Sequence, residues 1–242
     1  MKSLPRILIR RAPHKDILIT PAVGRTLIGY VFYNCGENMI TIQELFKKGM
    51  TAEEYRLQMT QKRERFEENE RTVSLAIDDV QFFAQLPYSL QVIVLTEDWC
   101  EPAIANVPVL VRLARESNKL DLRFFLRDQN PDLMNRYLKN GTYATIPAFI
   151  FFNQAFDEIG CWYEKPAKIS EMELELRKEL FSTDPAFAGI TLDTPLQQFP
   201  DLARMKLIQA FKDFRLKTRE FADREVVREI REIIQLGLAA NA

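Results

Sequence analysis

The 242-residue chain is poor in thiols and imidazoles: it holds three cysteines, Cys35, Cys100 and Cys161, and one histidine, His14. An odd, sparse set of cysteines argues against a disulfide scaffold and suits a reducing compartment. With one histidine and no close Cys-Cys or Cys-His spacing, no structural metal site is expected. An excess of charge of one sign is missing too: 33 Lys and Arg face 34 Asp and Glu. No whole-molecule field therefore favours nucleic acid or an anionic membrane as partner. The first 25 residues are locally basic, with Lys2, Arg6, Arg10, Arg11, Lys15 and Arg25 against Asp16. No apolar run approaches the roughly 18 residues of a membrane span. Charges interrupt Ile7-Leu8-Ile9 and Ile17-Leu18-Ile19 before either can serve as the centre of a signal peptide. The expectation is a soluble, cytoplasmic protein without nucleic-acid or membrane partners.

What is present is enough apolar sequence, 47% of residues, to bury a full core. Val92-Ile93-Val94-Leu95 is an unbroken apolar run of the length of a strand buried on both faces. After it, Ile104, Val107, Leu110, Val111 and Ala114 recur at steps of three and four, a helix with one buried stripe. Cys100 falls at the turn between them, near the first turn of the helix. Free backbone N–H groups and the positive end of the helix dipole favour a thiolate there, by about 0.3 to 1 kcal/mol and up to ~2 when partly buried. Glu97, Asp98 and Glu101 oppose a further anion. Cys100 is either an activated nucleophile or a small buried hydrophobe.

Around this centre the chain reads as a series of short elements. Residues 1 to 35 suggest extended pieces. From Thr41 the pattern is helical, and Thr51 with Glu54 forms a capping box for a charged helix over 52 to 73, expected to lie across a core. A short helix around Asp78 to Leu86 precedes the central strand. The next strand is Leu120 to Leu126, then a short helix with Leu133, Met134, Tyr137 and Leu138 that stops at Asn140-Gly141. Ile146-Pro147 opens the strand Ala148 to Phe152, which turns back at Asn153-Gln154-Ala155 into Phe156 to Trp162 and must be antiparallel to it. A helix over Ile169 to Phe181, a connection over 182 to 200 and a long charged helix or helix pair beyond Asp201 complete the α/β order.

These residues resemble the thioredoxin fold. The family carries Trp-Cys-Gly-Pro-Cys at a strand-to-helix turn, and here the place reads Trp99-Cys100-Glu101-Pro102-Ala103. The family's helix proline matches Pro108, its Asp-Gln-Asn-Pro matches Asp128 to Pro131, its cis-proline matches Ile146-Pro147, and the glycine closing the last hairpin matches Gly160. The fuller phrase around Glu97-Asp98-Trp99-Cys100 is similar to a bacterial group of thioredoxin-like proteins with a single-cysteine Trp-Cys-x-x-Ala motif. Two departures stand out. The resolving second cysteine is Ala103, and the buried carboxylate six residues before the first cysteine is Val94.

The resemblance implies an α/β, thioredoxin-like domain over 75–181, an N-terminal extension over 1–74 with an extended arm plus helices, and a C-terminal helical extension over 182–242. It implies Cys100 as nucleophile, with Trp99, Pro102, Ile146 and Pro147 at the substrate face and no cofactor beyond glutathione as a co-substrate. Cys161, after Gly160, is a second thiol that could resolve a disulfide on Cys100. Partners would be protein or low-molecular-weight thiols and disulfides. Two functions stay open: a monothiol thiol-disulfide oxidoreductase released by an external thiol, and a non-catalytic protein-binding module on the same face. The stripes of the extensions either cover the sheet in cis or form a homodimer.

Overall fold

Thr41 and Thr51 each start a helix in the same way. The hydroxyl accepts the N–H of a glutamate three residues on, and that carboxylate accepts the threonine N–H. The computed structural model describes residues 31–33 and 39–240; His14, Cys35 and the extended pieces expected before Val31 lie outside the described residues. Strand β1 (Val31–Tyr33) pairs antiparallel with β2 (Met39–Thr41), and the two caps start α1 (Ile42–Phe46) and α2 (Ala52–Gln58). The single helix expected over 52 to 73 is broken. Met59 is extended, Lys62 is left-handed at φ 52°, and α3 (Arg63–Thr72) begins after it. The cause is tertiary: the N–H groups of Thr60 and Gln61 donate to Asp98 Oδ2 at 2.7 and 2.9 Å instead of to helix carbonyls. These helices also belong to the core rather than lying across it, because Tyr55, Met59, Phe66 and Val73 are all buried.

After α4 (Ile77–Ala84) come β3 (Leu90–Thr96), α5 (Glu101–Ser117), β4 (Leu120–Leu126), α6 (Pro131–Arg136), β5 (Ala148–Phe152) and β6 (Glu158–Tyr163). Then follow α7 (Ala167–Thr183) and α8 (Asp201–Ala240). The strands form one sheet in the order β4-β3-β5-β6, parallel between β3 and β4 and antiparallel elsewhere. This is the mixed α/β sheet expected for a thioredoxin-like fold, followed by a long C-terminal helix. The parallel pair needs a crossover, which α5 provides, while the β5–β6 hairpin needs only a short turn. Asn153 builds that turn by accepting the N–H groups of Ala155 and Asp157 on its amide oxygen. Gly160 does not close the hairpin as the motif match implied. It sits within β6 opposite Phe151, where a Cβ would come within 2.7 Å of Ile233 of α8.

The core runs through the whole sheet. Phe124, Phe125, Phe149, Phe151 and Phe152 are buried, joined by Ile42 and Phe46 of α1. From α8, Val226, Val227, Ile230 and Ile234 enter the same core. That helix packs on β6 and α5. A second, small cluster of Phe187, Phe199, Ala203 and Leu207 joins the 182–200 connection to the start of α8. Among the described residues no helix is long and apolar enough to cross a membrane.

Candidate functional site

The end of β3 hands the chain to a short acidic loop whose carboxylates are each tied down. Glu97 accepts the N–H of Asp128 at 2.8 Å, from the segment that follows β4. Burial pushes the Glu97 carboxyl up, against that hydrogen bond. Asp98, 8% exposed, accepts the Thr60 and Gln61 N–H groups and the Thr60 hydroxyl. Glu101 pairs with Lys62 at 2.8 Å and with Arg65. Burial opposes its ionisation, and the hydrogen bonds from Arg65 and Lys62 outweigh that and hold the carboxyl at about 2. The acidic motif therefore serves to dock α3 and the loop before it. The cations that answer it come from a charged run that, in sequence, gave no sign of facing the site.

Cys100 is the N-cap residue of α5, with φ −78° and ψ 115°. The strand-to-helix setting matches the sequence reading; the expected gain in acidity does not. The side chain is 6% exposed, and burial pushes the thiol pKa up despite the Ala103 N–H and the charges of Lys62 and Arg127. Glu164 adds to the upward push. The thiol donates to the Ile146 carbonyl at 3.5 Å, a contact that favours the protonated form. The helix terminus acts as expected, but at most about 2 kcal/mol is available from it, and loss of water outweighs it.

The Ile146–Pro147 peptide is cis. Its neighbour is a residue that sequence reasoning passed over. Glu164 donates its N–H to the Pro147 carbonyl at 2.7 Å, and its own carbonyl accepts from Asn106 of α5 at 2.8 Å. Its backbone is left-handed at φ 64°, a conformation unusual for a side-chain-bearing residue. The available signal was Asn106, a polar residue inside the apolar stripe of α5. It is buried, so it needs a partner.

Trp99 is 38% exposed, with the Arg127 guanidinium 4.9 Å from its ring centre, and Lys62 donates to its carbonyl. Pro102 lies half-buried in the first turn of α5. Val94, in the place of the family carboxylate, is fully buried between Phe124 and Phe149.

The structure thus gathers Trp99, Cys100, Pro102, Ile146 and Pro147 at one end of the sheet. It gives Cys161 other neighbours. That residue, in β6, pairs with Ile150 of β5, and its thiol faces Glu158 at 3.6 Å. Burial and the Glu158 charge push it up to about 12. Both thiols are free.

A family model described as thioredoxin matches residues 49–180. A search of the curated proteins finds no match. Among solved structures, the chain is similar to a protein of unknown function from Pseudomonas aeruginosa, at 14% identity and a TM-score of 0.56, over 81% of this chain and 98% of that one. It is similar to an HIV epitope scaffold at 14% identity and a TM-score of 0.55, with the same coverage. At such identity these likenesses bear on the fold alone.

Proposed function

The chain belongs to the thioredoxin family, and from that premise we propose that it is a monothiol thiol-disulfide oxidoreductase acting through Cys100, with an external thiol such as glutathione as resolver. The supporting observation is the 3.5 Å contact between the Cys100 sulfur and the carbonyl of Ile146, beside Pro147. The Ile146 N–H has no partner among the described residues, so an extended peptide or a peptide-like thiol can pair with this backbone while its sulfur meets Cys100. Deprotonated Cys100 attacks one sulfur of a disulfide R–S–S–R′, a Cys100–S–R bond forms, and R′S⁻ leaves and takes up a proton. The external thiolate then attacks the sulfur of R, releasing the new disulfide and returning the Cys100 thiolate. Among the described residues no second thiol serves as resolver, because Ala103 fills the second motif position and Cys161 faces Glu158, and an external thiol takes that role. Because the thiol is held protonated, exchange is slow near neutral pH and rises with pH.

The test is intact-mass analysis after incubation with oxidised glutathione, together with glutathione-dependent reduction of a small disulfide. The wild-type protein should gain one glutathione and turn over, and Cys100→Ser should do neither. An adduct on Cys161 alone, or turnover that survives Cys100→Ser, overturns the proposal.

A second reading is favoured by the same burial: a non-catalytic module that binds a protein partner through Trp99 and the Ile146–Pro147 edge. It expects partner binding to survive Cys100→Ser and to fall with Trp99→Ala.

A further inference from the structure

Away from Cys100, a cavity of about 680 Å³ opens between α7, the 182–200 connection and the first turns of α8. Its apolar wall includes Phe199 and Phe211, and its rim carries Leu174 and Leu196, exposed at 41% and 42%. Its charges do not cancel. Lys139 pairs with Glu164 at 3.1 Å, and Lys165 pairs with Glu173, which leaves Arg177. Arg177 lies over the Phe181 ring and gives one N–H to the Leu192 carbonyl at 2.9 Å. Its Nε is buried and has no acceptor, and no carboxylate among the described residues pairs with it.

We propose that this cavity is a binding site for a small amphipathic carboxylate, an alkyl or aryl acid, with Arg177 as its counterion. The volume falls within the roughly 300–1,000 Å³ range of small-molecule sites, which combine apolar walls with a few placed polar groups. A guanidinium offers a carboxylate two parallel donors, the geometry that makes this pairing strong. The apolar body of the acid covers Leu174 and Leu196 and stacks toward Phe199 and Phe211. The other candidate occupant, the first 25 residues of the chain, is disfavoured by charge: six cations against one Asp would be brought against an unpaired arginine. The proposal does not depend on the chemistry of Cys100.

Titration calorimetry of the full chain with 4-phenylbutyrate and its neutral amide, 4-phenylbutanamide, tests this. The acid should bind saturably at one site, and Arg177→Gln should weaken it roughly tenfold while leaving the amide unchanged, since a charge-assisted pair is lost and the apolar contacts stay. Leu196→Ser, a change at an exposed position, should weaken both ligands. Acid that binds no tighter than amide, acid binding indifferent to Arg177→Gln, or no saturable binding to the wild type overturns the site. If Arg177→Gln does not fold, as judged by thermal melting, the acid-to-amide comparison and Leu196→Ser decide.

Discussion

Trp162 of β6 and Glu229 of α8 meet at 2.7 Å, indole N–H on carboxylate. The other oxygen of Glu229 accepts the N–H of Ala167 at 2.8 Å. One side chain therefore fastens the outermost strand of the sheet, the first turn of α7 and the long final helix to each other.

Glu229→Ala should destabilise the fold by about 2–3 kcal/mol, because two donors lose a charged acceptor. Glu229→Gln should lose about 1 kcal/mol, since an amide oxygen still accepts one of them. Urea unfolding measures both. Equal losses would mean that the carboxylate's dual role adds nothing.

Gly237→Ala reverses the usual helix preference. Alanine in a helix interior is normally better than glycine by about 1 kcal/mol. Here an added Cβ would stand 2.3 Å from Ile159 Cγ2 and 2.4 Å from the Ile159 carbonyl oxygen. Forcing α8 off β6 should cost about 1–3 kcal/mol. A rise in melting temperature would show that the helix moves aside freely.

Asp223 makes stability fall as pH rises. It is 3% exposed, and burial, opposed by Arg219, pushes its carboxyl from 3.8 up to about 6. In the unfolded chain it ionises near its ordinary value, so the folded state holds the extra proton between those two pH values. Its contribution is full below about pH 4 and lost by about pH 6, a change of about 3 kcal/mol. Asp223→Asn lacks this titration. The stability of wild type relative to Asp223→Asn should drop across that window; a difference independent of pH would rule the assignment out.

Cys100 should be alkylated by iodoacetamide with a pH midpoint above that of an ordinary thiol, because burial raises it. Lys62→Met removes a charge that lowers the thiol pKa and should move the midpoint further up. Glu164→Gln removes one that raises it and should move the midpoint down. A midpoint at or below the ordinary value in the wild type would contradict the raised pKa of the buried thiol.

The elements whose signal is local were legible. The capping box at Thr51, the strands Leu120–Leu126 and Ala148–Phe152 and the turn carrying Cys100 follow from period, caps and punctuation, and all stand in the structure. What depends on distant partners was not. The break at Met59–Lys62 is made by Asp98, 37 residues beyond Gln61, and in sequence the charged run continues through it. The sign of the Cys100 shift turned on how much water the site excludes, which a motif does not record. Gly160 matches a hairpin glycine in sequence, but its partner, Ile233, lies in a helix far along the chain.

The placement of α8 bears on how the protein is made. Among the described residues strand β6 is paired on one side only, by β5, and α8 packs against it. Chain order puts all six described strands before that helix. On a ribosome the sheet's apolar edge at Tyr163 emerges first and waits for about 75 further residues, to the end of α8 at Ala240, a delay of seconds at ordinary elongation rates. Through that interval the nascent chain presents an unguarded strand to chaperones and to its neighbours, and synthesis of α8 ends it.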